Sequence, residues 1–298
     1  MTSFLYDTIQ RDALISFPGL GIGPFNPPAS VTVFGRSIYF YGIIIALGFM
    51  FAIIWCARLA PKFGLKADDL YDMAIWLIPL SILGARLYFV IFRWSYYRTH
   101  LSEIVAVWEG GLAIYGGIIV GVLVCYCVCR YKKISFPSML DLSAFGVMLG
   151  QAMGRWGNFF NREAFGAETD IFCRMGLTAA DGTTIYVHPT FLYESLWNVT
   201  GLCILGILLK KNRRRYPGQF ILFYFFWYGL GRVWIEGLRT DSLYIGSTGI
   251  RVSQLLSAVL VLAAGTALFL NRKKNTLASS SDNTAQTRSQ EESDHGGL

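Results

Sequence analysis

Tyr228, Arg232, Glu236 and Arg239 stand four, four and three residues apart in an otherwise apolar stretch. At about 100° per residue they share one helical stripe about 16 Å long. A hydroxyl, two cations and a carboxylate on one face suit a polar headgroup better than acyl chains. An internal Arg232–Glu236 pair without a ligand is the bland reading of the same spacing. A second cluster runs Gly154-Arg155-Trp156-Gly157-Asn158-Phe159-Phe160-Asn161-Arg162-Glu163-Ala164-Phe165-Gly166. Here an arginine can offer a phosphate two parallel N–H donors, and two asparagines and a glutamate can bind hydroxyls. The glycines allow close backbone approach or positive φ. Its bland reading is a glycine-rich helix exit followed by a solvated loop.

Arg86, Arg155 and Arg232 all fall inside apolar runs, with Glu194, Glu236 and Asn158 near them. An arginine at the centre of a spanning helix costs about 2.5–3.5 kcal/mol on insertion scales. Snorkelling or structural ion pairs explain any one of them more easily than the set.

The elements that must position these residues follow from composition. Of 298 residues, 54% are apolar and 15% charged, against about 25% charged in ordinary soluble domains. This excludes a disordered or collagenous chain. It also argues against a soluble globule, because apolar runs near 20 residues recur and are long enough to span a bilayer. Seven such segments are predicted, at 37–57, 70–92, 111–129, 137–157, 190–209, 218–238 and 252–271. The expected fold is an all-α polytopic membrane protein with seven transmembrane helices. The net charge of +7 then bears on topology, and no nucleic-acid partner is expected.

The connections after spans one, three, five and seven hold fourteen basic residues, from Arg58 through Lys132 and Arg213 to Lys274; the opposite loops hold eight. Basic loops stay in the cytoplasm, which puts the N-terminus outside and the C-terminus inside. Arg86, Arg155 and Arg232 then lie in the later halves of outward-running spans. Tyr41, Tyr115 and Glu194 lie in the earlier halves of inward-running ones, and His188 just precedes span five. The polar set thus gathers in the outer half, as a cavity open to the outer leaflet. A transporter more usually keeps its site near the midplane.

Residues 1–35 hold Pro18, Pro24, Pro27 and Pro28 and no signal-peptide pattern. They are expected to form an extracytoplasmic re-entrant or interfacial segment. Residues 36–271 are the expected membrane catalytic domain, and polar residues 272–298 a disordered cytoplasmic tail. Cys125, Cys127 and Cys129 point in different directions on a helix and read as small apolar filler.

The 154–166 stretch resembles the signature of the bacterial prolipoprotein diacylglyceryl transferases: an Arg, Gly-Asn-Phe, Asn, Glu and Gly at fixed spacing. Other blocks agree. Tyr41-Gly42, Gly84-Ala85-Arg86, the glycine-rich 110–117 block, His188-Pro189-Thr190 with Leu192-Tyr193-Glu194, and the Tyr228–Arg239 stripe are similar to the family's span motifs. The resemblance covers roughly residues 36–270. It implies transfer of the diacylglyceryl group of phosphatidylglycerol to the thiol of a prolipoprotein signal-peptide cysteine. A thioether forms and glycerol phosphate leaves. It also implies a multi-pass protein of the bacterial cytoplasmic membrane, with the active site facing the outer leaflet and no metal or cofactor.

Lipid-binding residues carry over to Arg155, Asn158, Tyr41 and Gly166, with Tyr228 and Arg86 added from the polar set. Catalytic roles fall to Tyr115, Arg232, Glu163, Glu236 and Arg239. Many members of the family carry His where this chain has Tyr115, so Tyr115 either takes the proton or orients the thiol or a glycerol hydroxyl. In the second case Glu163, His188 or the leaving phosphate accepts the proton. The weighed alternatives are a transporter, or a lipid-binding membrane protein with an anion site.

The charge split makes the topology testable. A reporter active only in the cytoplasm should work when fused near Lys211 and fail near Asp181. The reverse result would move the polar set to the inner face.

Overall fold

The computed structural model describes residues 13–240, 244, 249 and 251–272. The disorder expected of the tail therefore falls almost wholly outside the described residues. The long helices are α1 (Phe40–Leu59), α2 (Ala67–Phe92), α3 (Ile114–Lys132), α4 (Phe136–Asn161), α5 (Thr190–Lys210), α6 (Gln219–Leu238) and α7 (Val252–Arg272). Among the described residues, five stretches are long and apolar enough to cross a membrane: Phe40–Phe63, α2, α3, α5 and α7. Helices α4 and α6 have the length but not the apolarity. Asp141, Gln151, Arg155 and Asn158 dilute the first, and Arg232 and Glu236 the second. The helices that fall short are those carrying the polar stripe and the 154–166 motif.

Helix limits follow local rules. The side chain of Asp69 accepts the Lys66 N–H at 3.0 Å where α2 begins. A short 3₁₀ extension after α1 stops at Gly64, whose φ of 71° suits glycine.

The expectation of an all-α protein needs correction. Strands β1 (Leu14–Phe17), β2 (Ile22–Phe25), β5 (Met175–Thr178) and β6 (Thr184–Val187) form an antiparallel sheet in the order β2-β1-β5-β6. Strands β3 (Ser30–Val33) and β4 (Arg36–Tyr39) form a separate hairpin. Its two-residue turn, Phe34-Gly35, has φ of 50° and 76°, as a tight hairpin of right-twisted strands requires. The described part of the N-terminal segment, expected to be re-entrant or interfacial, forms paired strands. Each strand is four residues long, too short for alternation to stand out in sequence.

The chain divides into two compact units, Met1–Ala46 with Met148–Leu298, and Leu47–Val147. In the second unit, α2 and α3 pack through glycine. A Cβ on Gly116 would come within 2.4 Å of the Gly84 carbonyl, and one on Gly84 within 2.4 Å of Val120. Small residues at such a crossing let helix backbones approach closely. Ala113 N–H also donates to the Ala85 carbonyl at 3.0 Å. At the far end of the pair Lys132 bridges Asp69, at 3.0 Å, and Asp72. Phe145 lies fully buried between Trp55 and Phe63, edge-on to both.

In the first unit the apolar face of the sheet meets the ends of two helices. Ile15, Phe17, Met175, Leu177, Ile185 and Val187 pack with Phe159 of α4 and Phe191 of α5. This cluster fixes the exit of α4 beside the start of α5.

Alanine forms helix more readily than glycine by about 1 kcal/mol. Gly116→Ala should nevertheless lower the melting temperature of the purified protein, because overpacking of this kind costs about 1–3 kcal/mol. A melting temperature at or above that of the parent would remove close backbone approach as the reason for the glycine.

Candidate active site

Three helix ends of the first unit converge on one carboxylate. Glu194, in the second turn of α5, is 5% exposed. Its Oε2 meets Arg155 Nη2 of α4 at 2.5 Å. Its Oε1 accepts from Arg232 Nη1 of α6 at 3.3 Å and from Arg239 Nη1, just past the end of α6, at 3.1 Å. Arg232 Nη2 turns to Glu236 Oε2, 2.7 Å away on the next turn. Three guanidinium groups thus face two buried carboxylates. Glu194 stood out in the sequence as an acid within an apolar stretch and as part of the fifth-span block, with no role attached. It is the residue on which the arginines meet.

The network continues into the 154–166 motif. Arg155 Nη1 donates to Asn158 Oδ1 at 3.2 Å. Asn158 Nδ2 and Asn161 Nδ2 both donate to Glu163 Oε1, at 2.9 and 3.2 Å. Arg155 and Asn158 are one turn apart on α4, so they share its face. Glu163 returns to them because the backbone reverses beyond Asn161. Arg162 and Ala164 hold φ of 52° and 57°, a left-handed conformation that non-glycine residues adopt at a cost. The Arg162 side chain, 4% exposed, anchors this reversal. It donates to the Ala13 and Pro27 carbonyls at 3.2 and 2.6 Å, to Asn26 Oδ1 at 2.6 Å and to the Phe160 carbonyl at 2.5 Å.

Gly166 closes the motif where all three helix ends meet. Its N–H donates to the His188 carbonyl at 2.9 Å, and it bridges Arg239 in an antiparallel pair. A Cβ there would stand 2.7 Å from His188 Cβ and 2.9 Å from the Leu238 carbonyl, so only glycine fits. Gly157 has a related role. A Cβ on it would press 2.6 Å into the ring of Tyr41, so its absence seats that ring on α4. Tyr228 stacks on Tyr224, centroids 5.8 Å apart, one turn before Arg232. Cross-links hold the helices in register: Gln151 Nε2 donates to Tyr224 Oη at 2.9 Å, and Trp156 Nε1 to Ser195 Oγ at 3.2 Å. His188 Nδ1 lies 3.3 Å from Tyr193 Oη, and burial pushes its imidazole pKa below the ordinary value.

The model of the prolipoprotein diacylglyceryl transferases matches residues 28–270. The chain belongs to the prolipoprotein diacylglyceryl transferase family. Its similarity to phosphatidylglycerol–prolipoprotein diacylglyceryl transferases is substantial. It is 44% identical to that of Streptococcus equi subsp. equi (strain 4047) over 244 residues, 80% of this chain and 92% of the relative. It is 43% identical to the Limosilactobacillus reuteri (strain DSM 20016) protein over 249 residues, 80% and 89% of the two chains. It is 44% identical to the Finegoldia magna (strain ATCC 29328 / DSM 20472 / WAL 2508) protein over 248 residues, 83% and 96%.

Of the sequence-predicted site residues in this family member, Arg155, Asn158, Glu163, Arg232, Glu236 and Arg239 join one network around Glu194. Gly166 ties its edges, while Tyr41 and Tyr228 flank it on α1 and α6. Arg86 and Tyr115 belong to the other unit. Arg86, 5% exposed, spends its donors on the carbonyls of Ile104, Gly110, Gly111 and Glu103, at 2.9, 2.7, 3.1 and 2.5 Å. Its guanidinium carbon lies 5.3 Å from the Tyr97 ring centre. Tyr115 opens α3 and is exposed.

Removing one partner of a buried ion network costs about 3–5 kcal/mol. Glu194→Gln, which removes the carboxylate on which three guanidinium groups meet, should lower the melting temperature by several degrees. An unchanged melting curve would show that Glu194 does not hold the cluster together.

Proposed function

We propose that this chain transfers the diacylglyceryl group of phosphatidylglycerol to the thiol of a prolipoprotein signal-peptide cysteine, as the names of its relatives describe for those proteins. The observation that carries the reading is the convergence of three half-buried arginines on the buried Glu194. Three guanidinium groups gathered at one point suit the negatively charged phosphodiester of a lipid headgroup. In this reading all seven long helices cross the bacterial cytoplasmic membrane, with the N-terminus outside. The end of α4, the start of α5 and the end of α6 then face the outer leaflet, where the lipid headgroup lies.

In the reaction the substrate sulfur attacks the glycerol carbon that carries the phosphate. The carbon–sulfur bond forms as the carbon–oxygen bond breaks, and the electron pair leaves with glycerol phosphate. Arg155 and Arg232 would grip the phosphate and offset its growing charge, an effect strongest in a dry, preorganised site. Glu194, Glu236 and Arg239 would hold those two arginines in place before the lipid arrives. Asn158 and Glu163 would bind the glycerol hydroxyls, with Tyr41, Tyr228 and Gly166 shaping the pocket wall. Arg86 would act through the 103–111 segment whose carbonyls it gathers. The thiol, with a free pKa near about 8.5, is only about 3% ionised at pH 7, so a positive field or a base must raise that fraction. We read Tyr115 as orienting the thiol or a glycerol hydroxyl. A phenol with pKa near about 10 is a poor base at neutral pH.

Membranes holding the full chain, given labelled phosphatidylglycerol and a peptide with a signal-peptide cysteine, should yield labelled peptide. No label on the peptide would sink the reading. Arg155→Ala should lose at least about 10²-fold in turnover. Arg155→Lys should recover little, because a point charge meets two phosphate oxygens less specifically than a planar fork; wild-type turnover in it would reduce Arg155 to a simple attractor of charge.

In the same assay Tyr115→Phe should lose roughly tenfold, in line with one hydrogen bond of about 1–1.5 kcal/mol. A loss of about 10³-fold with normal lipid binding would instead make Tyr115 the base.

A further inference from the structure

Helices α5 and α6 each carry a tryptophan followed four residues later by a glycine: Trp197 with Gly201, and Trp227 with Gly231. In the antiparallel pair the two motifs interlock. Trp197 Nε1 donates to the Trp227 carbonyl at 2.9 Å, and Trp227 Nε1 donates to the Trp197 carbonyl at 2.9 Å. The indoles stack, centroids 4.4 Å apart and planes 16° from parallel. Each ring sits in the notch left by the other helix's glycine. A Cβ on Gly231 would fall 2.3 Å from Trp197 Nε1, and one on Gly201 2.5 Å from Trp227 Nε1. The contact is symmetric about an axis between the helices, so neither helix can slide or rotate without breaking both hydrogen bonds. In an apolar setting the released N–H groups would have no water to turn to.

The place of this lock gives it a role. Glu194 is one turn before Trp197, and Arg232 directly follows Gly231. The lock therefore sits one turn from the Glu194–Arg232 contact and sets the register in which those side chains meet. We propose that Trp197 and Trp227 are positioning residues for the transfer reaction, acting through the placement of Arg232 against Glu194. The inference rests on the transfer reading above. A transition-state contact is sensitive to shifts of about 1 Å, whereas ground-state lipid binding, spread over several groups, is less so. Loosening the lock should thus lower kcat more than it raises KM.

The test is the double variant Trp197→Phe/Trp227→Phe, which keeps stacked rings but removes both donors. It is purified as the full chain and assayed with labelled phosphatidylglycerol and the cysteine peptide, with rates expressed per folded molecule. The expected result is a drop in kcat of about tenfold with KM for the lipid changed less than about twofold. A merely structural pair would lower the yield of folded protein and leave kcat per folded molecule at the parental value; that outcome overturns the proposal. The single variant Trp227→Phe keeps the partner's hydrogen bond and serves where the double variant does not fold. It is expected to lose about threefold in kcat, and parental kcat in it also overturns the proposal. Labelled peptide from the parent enzyme is the control. Its absence would sink the transfer reading itself, whereas normal turnover in the variants sinks only the role of the indole pair.

Discussion

A single buried carboxylate organises the first unit. Glu194 accepts three guanidinium groups, from α4, from α6 and from just past its end, and without it those half-buried groups would repel one another where water screens them only in part. Buried ions are held only when their partners are in place, so the surrounding structure must deliver the arginines accurately. The apolar sheet face on Phe159 and Phe191, the backbone reversal at Arg162 and the glycine contact at Gly166 all serve that delivery. The same arrangement keeps the cations ready. In the reading proposed above, a guanidinium already partnered by a fixed carboxylate would need little reorganisation when a phosphate displaces or joins that partner.

Much of this was legible in the sequence because the bilayer penalises polarity so heavily. Each predicted apolar segment corresponds to a long helix, and an arginine or glutamate inside such a segment stands out against Leu and Phe. Arg232 and Glu236, spaced one turn apart, do pair, and Arg155 and Asn158 do share a face. What could not be read was long-range. Nothing in the spacing says that Glu194, about forty residues from either, is where Arg155 and Arg232 meet. Arg239 appeared to continue a helical stripe, yet the helix ends at Leu238 and the residue reaches Glu194 from extended backbone. Arg86, read as a lipid contact by its depth, has its donors engaged by backbone carbonyls within its own unit. The strands escaped notice because four-residue segments carry too little periodicity, and because Arg162, which pins two of their neighbours, looked like a loop cation.

Glycine explains much of the remaining pattern. At Gly84 and Gly116 its absence of a side chain brings backbones together, at Gly157 it seats a ring, and at Gly166 it admits three chain segments to one point. These are different physical uses of one residue type, and only the contacts tell them apart.

The pairing of β1 with β5 has a consequence for how the chain is made. Ile15 lies opposite Leu177, more than 150 residues later. During synthesis the edge of β1 not held by β2 must wait until four long helices and β5 have emerged. Closing a loop of that length has an entropic cost that must be met before the long-range pairing rewards it. Arg162, which grips the Ala13 and Pro27 carbonyls, arrives shortly before the strand that completes the sheet. The sheet is therefore a late-forming element. A ribosome-bound chain truncated before Met175 would carry four of the seven long helices but not the completed sheet.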